Sequence, residues 1–225
     1  IVRKRDGAAN YTTTDLATLR YRMETWSPTD IVYVTDGRQQ LHFQQLFNIF
    51  GRWQKSASAK LEHVWFGSIL GPDGKPFKTR SGETVHLADL LDEAEERALA
   101  VVSEKNPDLP DAERREIARV VGLGALKYAD LSNNRQSDYI FDWDKMLALL
   151  GNTAPYLQYA YTRVRSIFRK VDAPDFTKVE LQFKAPEELA LAKHLMNFGQ
   201  TLEMVAQDYR PNFLCNYLFE LAGHF

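Results

Sequence analysis

The sequence predicts a mixed fold, an α/β part followed by an all-α part, and three observations lead there. Asp30 to Asp36 reads Asp-Ile-Val-Tyr-Val-Thr-Asp, a short apolar run rich in β-branched residues between Ser27-Pro28 and Gly37. Leu61 to Leu70 is a second apolar run, ended by the turn signature Gly71-Pro72-Asp73-Gly74. From Asp111 onward the apolar residues recur at helical spacing and no further strand is evident. Short apolar runs bounded by turn residues signal strands, whereas steps of three and four residues signal helices.

In chain order, the first element is a helix from about Thr14 to Glu24, and the Asp30 to Asp36 run follows as a buried strand. Leu41, Leu46, Phe47, Ile49 and Phe50 mark a helix that stops at Gly51, and Leu61 to Leu70 forms the second strand. Strand, helix, strand is a βαβ unit, so the sheet is expected to be parallel. Leu87, Leu90, Leu91, Ala94, Ala98 and Val101 line one face of the next helix against Asp92, Glu93, Glu95 and Glu96. The α/β part ends near Asn106-Pro107.

Beyond it, Ile117, Val120, Val121 and Leu126 mark one helix, and Leu157, Ala160, Val164, Ile167 and Val171 another. Leu191, Leu195, Phe198, Leu202 and Val205 step alternately by four and three, and Pro211 opens a last helix bearing Leu214, Leu218 and Leu221. One or two parallel βα units are too few for a sheet covered on both faces. The chain, which opens on Ile1 and stops at Phe225 within an apolar helix, is therefore expected to be an internal piece of a longer protein, with further strands before Ile1.

A hydrophobic content of 44%, a charged content of 26%, 12 Gly and 9 Pro exclude collagen-like, low-complexity and mostly disordered chains. Cys215 is the single cysteine, which excludes a disulfide framework and a cysteine-rich zinc site and fits a reducing compartment, so a cytoplasmic location is expected. No apolar stretch approaches a bilayer-spanning length and no signal-peptide pattern opens the chain, so no membrane partner is expected. The net charge of −2 attracts no polyanion globally, and any nucleic-acid contact must come from a local concentration of Lys and Arg.

Ligands of an open parallel sheet bind beyond the carboxyl ends of its strands, which singles out three segments. Asp36-Gly37-Arg38-Gln39-Gln40-Leu41-His42 follows the first strand and can hold ribose hydroxyls and a polar substrate; it equally suits an Asp that caps the next helix, with His42 packed or solvated. Gly71 to Gly82 carries Lys75, Lys78 and Arg80 between glycines, cations suited to an oligophosphate on a closing loop, or else a solvated basic hairpin. Tyr11-Thr-Thr-Thr-Asp15 places a ring and a carboxylate one helical turn apart. Such a pair can receive a guanidinium by stacking and by a bidentate fork, or Asp15 can simply favour the first turn of a helix. His63, His86, His194 and His224 show no metal-ligand spacing, so no metal site is expected, and no nucleophile with a nearby base indicates covalent catalysis.

Together these segments resemble the arginyl-tRNA synthetase family, class I aminoacyl-tRNA synthetases, in its bacterial form, along essentially the whole chain. The residues that carry the likeness are Tyr11 to Asp15, Asp36 to His42 with Gln45, Gly74 to Gly82 with Val85 to Leu91, Lys127 to Ser132, Asp138 to Asp144 and Gly151 to Arg163. The resemblance implies that residues 1–106 are the C-terminal half of a Rossmann-type parallel-sheet catalytic domain, that 107–150 are a helical connection, and that 151–225 begin a helical anticodon-binding bundle.

It further implies that Tyr11, Asp15 and Gln39 hold the arginine side chain, and that Asp36, His42, Gly67 and Lys78 lie at ATP. Lys78 and Arg80 are the implied catalytic cations, in the place of the KMSKS signature, of which only the first lysine is matched; Ser81 stands at the second, so another cation must share its task. The HIGH signature is not found in the chain and is expected upstream. The implied reaction joins L-arginine to tRNA(Arg) through an arginyl-adenylate, with ATP and its Mg²⁺, in a parent that is monomeric. Tyr159, Tyr161 and Arg163 are the implied tRNA contacts, where aromatic rings interleave with Arg165, Arg169 and Lys170. The alternative is a non-catalytic RNA-binding or scaffolding module derived from the same fold.

Overall fold

The protein is described here by a computed structural model covering residues 3–55, 58–75, 85–171, 180 and 182–225. The chain forms two compact units, Ile1–Ser68 and Ile69–Phe225.

In the first unit, helix α1 (Tyr11–Trp26) leads to strand β1 (Asp30–Asp36), a single 3-10 turn (Gly37–Gln39), helix α2 (Gln40–Trp53) and strand β2 (Lys60–Phe66). β1 and β2 pair in parallel from Asp30↔Lys60 to Asp36↔Phe66, with α2 as the crossover, as the βαβ pattern predicts. Asn10 starts α1 by accepting the Thr13 N–H at 2.9 Å, three residues earlier than the apolar spacing shows. Ser27, with φ of 44°, ends it.

The core of this unit is Leu19, Ile31, Phe43, Leu46 and Phe50, with Leu16, Met23, Tyr33, Phe47 and Leu61 packed around it. Phe43, Leu46, Phe47 and Phe50 repeat at helical three- and four-residue steps on α2, and full burial of a side chain of this size contributes roughly 1.5–3 kcal/mol. β1 corrects one expectation. Ile31 and Tyr33 face this core, but Val32 is 40% and Val34 62% exposed, so the strand is buried on one face only. The helices α1 and α2 supply apolar partners to that face.

The second unit is mainly helical: α3 (Leu87–Lys105), α4 (Asp111–Ser132), α5 (Trp143–Met146), α6 (Ala154–Lys170), α7 (Pro186–Met196), α8 (Phe198–Asp208) and α9 (Asn212–His224). The expected second strand is broken at Gly67-Ser68: its last residues form β3 (Ile69–Leu70), which pairs in parallel with β4 (Tyr139–Ile140). β4 is a strand that the helical periodicity conceals. α3 and α4 form a tight hairpin through small residues, with Ala94, Ala98, Ala118 and Ala125 buried and a Cβ on Gly122 falling 2.5 Å from the Ala94 carbonyl oxygen. Leu87, placed on the buried face by its spacing, is instead 66% exposed, because the packed stripe runs through Ala94, Ala98 and Val102.

Three polar ties fix the remaining helices. The Tyr128 hydroxyl on α4 donates its one hydrogen to the backbone carbonyl of Cys215 on α9 at 2.9 Å, and its oxygen lies against the Asn152 side chain. Burial pushes its ionisation well above the usual tyrosine range. Arg135 donates to the carbonyls of Tyr209 at 2.8 Å and Asp208 at 3.3 Å, satisfying the C-terminal end of α8, and Arg210 donates back to Gln136 at 2.8 Å. The single run expected across Leu191 to Val205 is divided at Asn197, where α7 gives way to α8.

Candidate functional site

The pole of the first unit where α1 and α2 both begin gathers the residues singled out for a guanidinium. Because the Asn10 cap makes Tyr11 the first helical residue, Tyr11 and Asp15 fall one turn apart on the same face of α1. Asp15 then lies beyond the first turn, where a carboxylate has little to gain from the helix dipole. Across from it, His42 on the first turn of α2 places Nε2 2.8 Å from Asp15 Oδ2 and its ring centroid 4.8 Å from that of Tyr11. The His42 side chain is 14% exposed and that of Asp15 40%. Tyr11 is 68% exposed, so its ring is open to a stacking partner. Among the described residues no Lys or Arg pairs with Asp15, whose side-chain partner is the His42 imidazole.

Gln39 is exposed at the residue preceding α2, three positions before His42 and thus at the same helix end. No hydrogen bond among the described residues joins it to Tyr11 or Asp15. Asp36, at the carboxyl end of β1, accepts the Arg38 N–H at 2.8 Å and the Arg38 guanidinium at 2.8 and 3.2 Å. Those Arg38 hydrogen bonds hold its carboxyl below the usual carboxylate range. Asp36 therefore does cap the following turn, as the plainer reading of that segment has it. Its partner across the sheet is Phe66, and Gly67 is the next residue, so Asp36 and Gly67 both lie at the carboxyl edge of the parallel pair. His42, expected beside adenosine, has its nitrogen on Asp15.

The turn Gly71 to Lys75 closes as its signature predicts, with Gly74 N–H on the Gly71 carbonyl at 2.9 Å and Lys75 N–H on Asp73 at 3.1 Å. Lys78 and Arg80, with Ser81, lie outside the described residues.

The expected RNA contacts are only partly brought together. On α6, capped by Thr153, Tyr159 is 56% and Tyr161 63% exposed. Arg163 sits one turn from Tyr159 with its guanidinium 5.8 Å from the ring centroid. Tyr161, two residues from Tyr159, projects to the other side of the helix. There it lines an apolar groove of about 520 Å³ with Ile117, Val120, Val121 and Leu157. Tyr156 is packed against Phe219 at 5.5 Å. A cleft of about 380 Å³ elsewhere in this unit, of mixed polarity, has Tyr128, Asn133, Tyr139, Asp142, Lys145 and Asn152 among its lining, where three of the likeness-bearing segments converge. No single motif pointed to it. Among the described residues no three His, Cys, Asp or Glu side chains cluster to hold a metal, and no helix is long and apolar enough to cross a membrane.

Comparison with known proteins adds to this geometry. Residues 1–143 match the family model described as tRNA synthetases class I (R), catalytic domain, and residues 157–225 match the DALR anticodon binding domain. The chain is 57% identical over 226 residues to the arginine–tRNA ligase of Laribacter hongkongensis, covering 100% of itself and 39% of that protein. It is 51% identical over 228 residues to that of Escherichia coli K12, covering 40% of it. Among solved structures it is similar to the arginyl-tRNA synthetase of Plasmodium falciparum, with a TM-score of 0.86 and 30% identity over 100% of this chain and 38% of that one. It is also similar to the Thermus thermophilus arginyl-tRNA synthetase, with a TM-score of 0.83 and 28% identity over 99% of this chain and 41% of that one. The chain thus spans about two-fifths of the length of the curated relatives it matches.

Proposed function

Because the chain belongs to the class I arginyl-tRNA synthetase family, we propose that it is the portion of an arginine–tRNA ligase that receives the arginine side chain, shares in binding ATP and begins the anticodon-binding region. The observation that carries this reading is the Tyr11, Asp15 and His42 cluster: an open ring and a carboxylate that no Lys or Arg among the described residues pairs, on adjacent helix ends. A planar, permanently charged guanidinium satisfies both, whereas the point charge of a lysine ammonium satisfies neither the fork nor the ring fully. Gln39 stands at the same helix end and completes the arginine site.

In the first step the arginine carboxylate attacks the α-phosphate of ATP, giving arginyl-adenylate and pyrophosphate; in the second a ribose hydroxyl of the tRNA terminus attacks the arginyl carbonyl and takes the arginyl group, with AMP leaving as the acyl–phosphate bond breaks. Asp36 and Gly67 face the nucleotide from the carboxyl edge of a Rossmann-type sheet. Lys78 and Arg80 meet the charge that develops on the phosphates, alongside the Mg²⁺ that accompanies ATP as substrate. Residues 1–106 form the C-terminal half of the catalytic domain, 107–150 a helical connection and 151–225 the start of the anticodon-binding bundle; the two family matches, ending at 143 and starting at 157, support the second boundary. The enzyme works as a cytoplasmic monomer.

The test is arginine-dependent ATP–pyrophosphate exchange in the presence of tRNA(Arg), by the full-length polypeptide carrying this segment and by the 225-residue chain. Exchange is expected from the first and not from the second. Robust exchange by the 225-residue chain would show that it holds a whole site, and none by the full-length polypeptide would leave a non-catalytic RNA-binding or scaffolding module.

On the RNA side, Tyr159 and Arg163 act together, the ring stacking an unpaired base and the guanidinium meeting a phosphate. Arg163→Ala in the full-length polypeptide should lower the slope of log K against log salt for tRNA(Arg) by about 0.7, the share of one single-strand phosphate. Tyr159→Ala should cost roughly 1–3 kcal/mol of binding with the slope unchanged. Filter binding at several salt concentrations reads both, and unaltered affinity and slope would remove the pair from the RNA surface.

A further inference from the structure

We infer that His42 is a positioning residue for arginine, holding the Asp15 carboxylate and the Tyr11 ring in their receiving arrangement before the amino acid arrives. This rests on the arginine reading of the pole and adds to it a residue whose own contacts are with the receptor groups. An ionised carboxylate only accepts, so at 2.8 Å the His42 Nε2 carries the hydrogen and Asp15 Oδ2 receives it.

Of the two partners the imidazole is the more fixed. It is 14% exposed against 40% for Asp15, and its ring lies 5.2 Å from Phe43, a core residue, and 4.8 Å from Tyr11. The imidazole is thus the anchor and the carboxylate the group it orients. A bidentate fork requires both carboxylate oxygens in the guanidinium plane. A carboxylate free to rotate would have to be ordered on binding, at the expense of affinity. His42 serves Oδ2, while no described hydrogen bond reaches Oδ1. Contact with the Tyr11 ring ties the stacking wall to the same anchor. An imidazole donates this hydrogen bond without needing to carry a charge, whereas a Lys or Arg in its place would cancel the negative charge that the substrate needs.

The test measures arginine KM, ATP KM and kcat for pyrophosphate exchange in the full-length enzyme with tRNA(Arg), for His42→Phe, His42→Gln and Asp15→Asn. His42→Phe keeps a ring against Tyr11 and Phe43 but removes the donor. Its arginine KM should rise about tenfold or more, the scale on which losing the partner that orients a ligating group is felt, with kcat and ATP KM within about twofold. His42→Gln, whose amide nitrogen reaches close to the Nε2 position, should restore arginine KM to within about threefold of the parent. If His42→Phe does not fold, His42→Asn, whose amide stops short of Asp15, replaces it with the same expected rise.

Three outcomes overturn the inference or its premise. An unchanged arginine KM in the donor-less variant, with Asp15→Asn impaired, removes His42 and leaves the arginine site standing. A rise in ATP KM alone moves His42 to the adenosine. An unchanged arginine KM in Asp15→Asn overturns the arginine reading itself.

Discussion

Asp15→Asn in the full-length polypeptide is expected to lower kcat/KM for arginine by about 30- to 1,000-fold while leaving the melting temperature unchanged. The loss corresponds to roughly 2–4 kcal/mol, the scale for removing the charged half of a desolvated, charge-assisted pair. The substitution isolates charge from structure, because the asparagine carbonyl can still accept from His42 Nε2, 2.8 Å away in the parent. What it cannot do is offer two equivalent anionic oxygens to a fork. Steady-state exchange kinetics with arginine varied read the effect directly, and unaltered KM and kcat would take Asp15 out of the site. The same variant should discriminate less between arginine and uncharged isosteres, since the bound guanidinium then has no counter-charge.

Gly122→Ala is expected to be the most damaging single methyl group in the helical unit. Its Cβ would stand 2.5 Å from the Ala94 oxygen and 2.7 Å from the Ala94 carbonyl carbon, both backbone atoms, so α3 must move away from α4 as a body. Overpacking of this kind costs typically 1–3 kcal/mol or more, and the alanine's better helix propensity returns about 1 kcal/mol. A net loss of up to about 2 kcal/mol should lower the melting midpoint by up to roughly 8 °C. Gly124→Ala is the control two residues on. The clash there, 2.8 Å, is with the end of the Gln158 side chain, which can rotate aside. Equal destabilisation of the two variants would show that the approach of α3 to α4 at Gly122 accommodates a methyl group.

Much of this organisation was legible in the sequence wherever a long periodic pattern coincided with burial. β1 and α2 are examples: a β-branched run between turn residues and an apolar stripe at helical steps each report one dominant packing surface. The β3–β4 pairing was not legible, because two-residue strands carry no period and Ile69 and Tyr139 stand 70 positions apart in the chain. The break between α7 and α8 was hidden because Asn197 keeps a right-handed helical conformation and the apolar steps continue across it.

At the site, Tyr11 and Asp15 were legible as a pair from their spacing alone. The bond from Asp15 to His42 spans 27 residues and depends on how two helices meet, which local spacing does not encode. Tyr159 and Tyr161 show the opposite failing: their spacing does encode opposite sides of a helix, but grouping residues by aromatic and basic character overrides it.

The ties that hold α8 and α9 also bear on how this region can change over generations. Tyr128 grasps the carbonyl of Cys215, and Arg135 those of Tyr209 and Asp208, so each hold is on main chain rather than on side-chain identity. These holds therefore do not depend on the side chains at 208, 209 and 215, although burial still restricts position 215, whereas the tyrosine and the arginine that do the grasping cannot be exchanged without losing them. A helical surface built on such a joint can vary in its side chains without unsettling the frame beneath.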